Sequence, residues 1–228
     1  MPSSRADDVY TFVVKRQEVK RQSRWSLSDW LDTREKMRMQ DLWLALHSPS
    51  PYEFVLGGAF EVGSNNVTGR YLAGEGMLAA YASIFGLEGH YEGFRDGRGE
   101  LIQRAMAFFN LRVFGMQVQG TNMTFHVGVR QQNELTSAFR QLIVGGSLTM
   151  YLAKFFGVEG LFRYHFGSTP TSASEVVGGM RVEGGAFIDF SLFRVYGQYF
   201  WEPEWRTVGA TSSRQERQGI ALGGKFFL

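Results

Sequence analysis

The sequence predicts an all-β protein: a closed antiparallel up-and-down transmembrane β-barrel of about ten strands, preceded by an N-terminal helical segment. Three observations carry this reading. Hydropathy alternates with period two from residue 52 to the last residue, so successive segments have one apolar and one mostly polar face. The 228 residues include 28 Gly, 5 Pro and 15% aromatics without long apolar runs, which suits strands that alternate between lipid and lumen. Polar connections alternate with tight links, as when loops gather on one side of a membrane and turns on the other.

The strands fall at 52–62, 67–80, 86–94, 101–113, 121–131, 139–152, 157–167, 178–190, 193–202 and 215–228. Phe54, Leu56, Phe60 and Val62 alternate with Glu53 and Glu61; Phe125, Val127 and Val129 alternate with Thr124, His126 and Arg130. Polar connections lie near 63–68, 94–100, 131–138, 167–177 and 203–215. Tight links lie near 81–85, 152–156 and 190–192, with a fourth within 113–121. An even count returns both sheet ends to one side of a membrane. Eight is the competing count, because 67–80 is Gly-rich and the link in 113–121 is ill-defined, with parity slipping between Met116/Val118 and Phe125/Val127. Ile84-Phe85-Gly86-Leu87-Glu88-Gly89 echoes Phe155-Phe156-Gly157-Val158-Glu159-Gly160, as expected of repeated hairpins.

Residues 1–50 differ in character from 51–228, and the change falls at Ser48-Pro49-Ser50-Pro51. The spacing predicts a helix over 29–46, with Ser28 as N-cap and Asp29 and Asp32 in the first turn. It is expected to plug the barrel, contact the periplasm or pack on the barrel end. Residues 1–24 are too polar for the apolar core of a secretory signal, so the sequence is read as a mature or recombinant form of an exported chain. Val113–Val129, the longest comparable stretch, contains Gln117, Gln119, Asn122 and His126, so no segment reads as a transmembrane helix. With no Cys, thiol catalysis, disulfides and Cys-based metal sites are excluded. A formal charge of +2, from 24 basic and 22 acidic residues, gives no electrostatic case for nucleic-acid binding.

The chain ends Gly219-Ile220-Ala221-Leu222-Gly223-Gly224-Lys225-Phe226-Phe227-Leu228, with Ile220, Leu222, Phe226 and Leu228 on one face. In this strand the sequence resembles the bacterial outer-membrane β-barrel superfamily, whose last strand ends in alternating hydrophobics. The resemblance implies a cell outer-membrane location in a Gram-negative bacterium, contact with outer-membrane lipid, and recognition by the barrel-assembly machinery through Gly223, Phe226 and Leu228. A terminal Leu stands where an aromatic residue is usual. No functional subfamily is implied.

If the apolar face meets lipid, the opposite face is the lumen. Alternation places Glu53, Glu61, Glu75, Glu88, Glu92, Glu159, Glu183 and Asp189 inward, with Arg104, Arg112, Arg130, Arg163, Arg181, Arg194 and Lys225. This near-neutral set predicts mutual pairing in a narrow or plugged lumen. The tightest expected clusters are Glu88, His90 and Glu92 on one strand, and Glu159, Arg163 and His165 on another. A His beside carboxylates could serve as general base, which keeps an outer-membrane barrel hydrolase among the alternatives, with a small porin-like solute pore. The favoured reading is non-enzymatic: a structural or docking protein acting through outer loops and its N-terminal segment. It expects a periplasmic or cell-surface protein partner, no nucleic acid, no metal and no cofactor. Tyr52, Phe54, Phe85, Tyr91, Phe156, Phe193, Tyr199 and Trp201 are assigned outward, as interfacial aromatics.

Overall fold

A computed structural model describes residues 52–95, 97, 99–115, 117–134, 138–168 and 175–228. The segment 1–50, with the expected helix at 29–46, lies outside the described residues. Ten strands follow in order: β1 (Tyr52–Asn65), β2 (Gly69–Ala82), β3 (Phe85–Arg95), β4 (Leu101–Phe114), β5 (Asn122–Asn133), β6 (Ala138–Ala153), β7 (Phe156–Ser168), β8 (Glu175–Phe190), β9 (Phe193–Val208) and β10 (Thr211–Phe227). Each pairs antiparallel with its neighbours, and β1 pairs with β10 to close the barrel. Ten strands, not eight, are therefore present. The Gly-rich segment 67–80 forms most of β2, which pairs with β1 from Gly69 and with β3 from Leu72. The parity slip expected between 116–118 and 125–127 falls across the connection from β4 to β5, and a register shift between Arg112 and Phe114 precedes it.

Following the register from Tyr52 once round the barrel returns to β1 at Ser64, a stagger of twelve residues. Strand number and stagger together fix the tilt at ~40° to the axis. Both ends of the barrel lie at one rim, where Phe54 and Leu228 exchange backbone hydrogen bonds of 2.8 and 3.1 Å. Connections at this terminal rim span two, seven, two and two residues; those at the far rim span three, five, four, six and two. The expected contrast of long loops with short turns is therefore muted. The expected connection at 203–215 is instead a hairpin whose strands meet around residues 209–210. Its charges Glu204 and Arg206 face the lumen, which sequence composition alone does not distinguish from a solvated loop.

Burial alternates cleanly along the strands; β5 reads buried, exposed, buried through all twelve residues. Phe125, Leu148 and Phe162 are 41–46% exposed, whereas Glu88 and Arg163 have side chains only 8% and 6% exposed. The apolar face is thus the outside. Along the outside, apolar or small residues run from the terminal rim to Val62, Leu72, Ala105, Val129, Leu142 and Ile220. The next outward residue on the same strands is Ser64, Arg70, Gln103, Gln131, Arg140 or Gln218. The ten residue-to-residue steps from Tyr52 to Val62, at ~3.3 Å each and tilted by ~40°, span roughly 25 Å, the height of the apolar band on membrane barrels.

Glycines facing inward have a packing role. At Gly223 an added Cβ would stand 2.5 Å from the ring of Tyr196, its direct cross-strand partner; at Gly157 the same holds for Phe187 at 2.4 Å. The missing side chain lets an aromatic ring lie flat across the neighbouring strand.

Candidate functional site

Among the described residues most of the buried ionisable groups gather in the lumen, which is divided in two. Nearer the far rim, a layer of buried charges is centred on Glu202 of β9. Arg217 donates to Glu202 Oε2 from Nη2 at 2.5 Å and from Nε at 3.1 Å. Arg104 Nη1 donates to Oε1 at 2.8 Å, Arg130 Nη1 to Oε1 at 3.3 Å, and Arg181 Nη1 to Oε2 at 3.4 Å. Glu92 accepts from Arg217 at 2.6 Å and from Arg104 at 3.5 Å, while Glu61 accepts from Arg181 at 2.5 Å. Glu183 accepts from Arg181 Nε at 2.5 Å. These groups come from β1, β3, β4, β5, β8, β9 and β10, so the layer reaches across the lumen rather than lining one wall. The guanidinium of Arg217 stacks 4.5 Å over Phe94, and that of Arg181 lies 4.7 Å over Phe200. Each buried charge thus has counter-charge and hydrogen bonds, the condition under which such groups are tolerated away from water.

Toward the terminal rim the pairs are smaller and more separate, around a cavity of about 130 Å³. His90 hydrogen-bonds to Glu75 through Nδ1 and to Glu88 through Nε2, and Arg163 Nη2 reaches Glu88 at 3.5 Å. Asp189 is held by Arg194 at 2.9 Å and by the Tyr151 hydroxyl. Glu159 accepts from Gln198 at 2.7 Å, Lys225 at 3.2 Å and Arg194 at 3.5 Å. The connection between β4 and β5 folds into the mouth of this half. Its Val118 N–H donates to Glu53 Oε2 at 2.8 Å, and Gln119 Nε2 donates to Ser191 O at 2.6 Å. Gln117 and Gln119 are buried, and Val118 packs on the cluster of Val55, Ala79, Tyr81 and Phe227.

The expected clusters are thus partly regrouped. His90 does meet Glu88, but its second carboxylate is Glu75 from β2, and Glu92 belongs to the other layer. Glu159 and Arg163 share a face without pairing, and His165 is buried with no carboxylate at ion-pair distance among the described residues. Sequence reasoning missed Glu202, Glu204, Arg206 and Arg217. Continuing the parity of β9 from Phe200 would have found the first three; Pro203 and the run of charges argued for a loop. At the chain end, Phe226 and Leu228 are exposed on the apolar side, and Gly223 faces inward against Tyr196. The outward assignment holds for Tyr52, Phe54, Phe85, Tyr91 and Tyr199, which are exposed, and alternation keeps Phe156, Phe193 and Trp201 on that face too.

Both ring nitrogens of His90 are engaged by carboxylates, leaving none to take a substrate proton. Among the described residues no group of three or more His, Cys, Asp or Glu is arranged to hold a metal ion. The charges are instead consumed in closing a tube whose greasy exterior needs an acyl environment. This is the architecture of a membrane-spanning β-barrel. An open apolar belt about 25 Å tall is stable only against lipid, and a closed antiparallel barrel satisfies every ladder there without an edge.

No protein-family description and no curated protein matches the chain. Among solved structures the barrel is similar to the outer-membrane protease OmpT from Escherichia coli, at 9% identity and TM-score 0.45, over 78% of this chain and 95% of that one. It is also similar to Neisserial surface protein A, at 10% identity and TM-score 0.37 over 78% and 97% of the two chains. A third likeness is the translocator domain of the autotransporter NalP from Neisseria meningitidis, at 9% identity and TM-score 0.34 over 86% and 97%.

Proposed function

We propose that the protein is a non-conducting outer-membrane scaffold, oriented with its terminal rim in the periplasm and its far rim at the cell surface. The carrying observation is the Glu202 layer, which spans the lumen with mutually paired charges contributed by seven strands. An ion path needs charged groups free to exchange with a passing ion, and these are committed to one another. The plugging connection at the periplasmic mouth adds a second closure. Docking of a periplasmic or cell-surface protein would then use the rims and residues 1–50. At the outer rim the β9–β10 hairpin runs seven pairs beyond Gln218–Trp201. Gly223, Phe226 and Leu228 would serve the assembly machinery, with Phe226 and Leu228 presented outward for it to read.

The test is ion conductance of the purified full chain in planar bilayers. A silent bilayer, with heat-modifiable gel mobility showing that the barrel is folded, is the expected result. Steady single-channel currents from the folded protein would sink the scaffold reading in favour of a small pore.

A further inference from the structure

The exterior carries an unexplained charge pattern where the apolar belt stops. Arg70 on β2 and Arg95 on β3 both face outward and are exposed. They sit on adjacent strands, because Arg95 pairs with Leu72, two residues from Arg70. Neither has an ion-pair or hydrogen-bond partner among the described residues, unlike Arg214 farther round, which is matched by Glu216 at 2.5 Å. As diagonal cross-strand neighbours the two residues stand ~7–8 Å apart at the sheet, and their positive charges repel unless an anion sits between them.

Beneath them the surface is hollow. Gly74 faces Gly93 across the β2–β3 ladder, and no atom lies within 4 Å of where either would carry a Cβ. Phe60, the β1 partner of Gly74, and Tyr91, the β3 partner of Gly76, stand exposed on the two sides of β2. The trough therefore lies at acyl depth and opens upward to paired positive charge at the boundary with water. That combination matches an amphiphile with an anionic head and hydrocarbon tails.

We propose that this face seats a phosphate-bearing lipid of the outer leaflet, its phosphate between Arg70 and Arg95 and a chain between Phe60 and Tyr91. A phosphate dianion satisfies both planar guanidiniums through charge-assisted hydrogen bonds. The inference rests on the outer-membrane placement and not on the closed lumen, so a conductance result leaves it untouched.

Native mass spectrometry of the full chain in detergent, titrated with diphosphoryl lipid A, tests it. Wild type is expected to retain one lipid preferentially, and R70Q with R95Q to weaken that binding about thirtyfold. Arg140→Gln, which removes an outward arginine away from the trough, is the control and is expected to bind as wild type does. Gly93→Leu keeps both charges but fills the trough, and is expected to weaken binding too. Equal binding of fully dephosphorylated lipid A, equal binding by the folded double variant, or an equal loss in Arg140→Gln would each overturn the proposal.

Discussion

The two halves of the lumen solve one problem in different ways. The outer half condenses its charges into a continuous layer in which Glu202 alone meets four arginines. The inner half distributes them into separate groups at His90, Asp189 and Glu159 around a cavity, and closes its mouth with backbone from the β4–β5 connection. The difference teaches that a barrel of ten strands is slightly too wide for side chains simply to fill. It can be closed by cross-lumen pairing or by folding a connection inward.

If the outer layer is one cooperative unit, its centre should be the most sensitive point. Glu202→Ala is expected to destabilise the barrel by about 3–5 kcal/mol, because it leaves buried guanidiniums uncompensated. Urea unfolding in lipid vesicles measures this, and a loss near zero would show that the layer is not a unit. The inner half should be more forgiving. His90→Ala removes one bridge between Glu75 and Glu88, with Arg163 still beside Glu88, and is expected to cost about 1–3 kcal/mol. If it costs more than Glu202→Ala under the same unfolding conditions, the contrast is reversed. Smallest is Glu53→Gln, which keeps an acceptor for Val118 but weakens the contact with Arg112; a loss of roughly 1 kcal/mol is expected. The sharper readout there is accessibility. A cysteine at Val118 in the Glu53→Gln background should react with periplasm-side thiol reagents faster than in the Glu53 background, and equal rates would mean that Glu53 does not hold the plug.

Much of this was readable from residue order. Strand positions follow from period-two hydropathy because an apolar exterior and a polar interior impose opposite demands at every residue. The turns at 83–84, 154–155 and 191–192 lie inside the predicted links, and Ser83 and Ser191 adopt positive φ of 59° and 61° in them. Which strand faces which across the lumen was not readable, since alternation gives a side but no partner. Glu75 and His90 are fifteen residues apart and meet through pairing of β2 with β3, whereas Glu202 and Arg104 meet across the barrel. The hairpin at 203–215 shows the same limit in another form. Glu204 and Arg206 have the composition of a loop, and only closure of the sheet places Glu204 against Arg130 and Arg206 against Glu134.

A membrane-spanning barrel requires Val127 and Leu222 to look into hydrocarbon while the charged face is enclosed. Because the chain has no cysteine, single spin labels can be placed at will. Collision rates with oxygen and with a water-soluble nickel complex in bilayers are the direct measurement. Labels at Val127 and Leu222 should meet oxygen and be shielded from nickel, with the preference inverted at Gln131 and Ser213. Nickel reaching Val127 as readily as Gln131 would contradict a lipid-facing exterior.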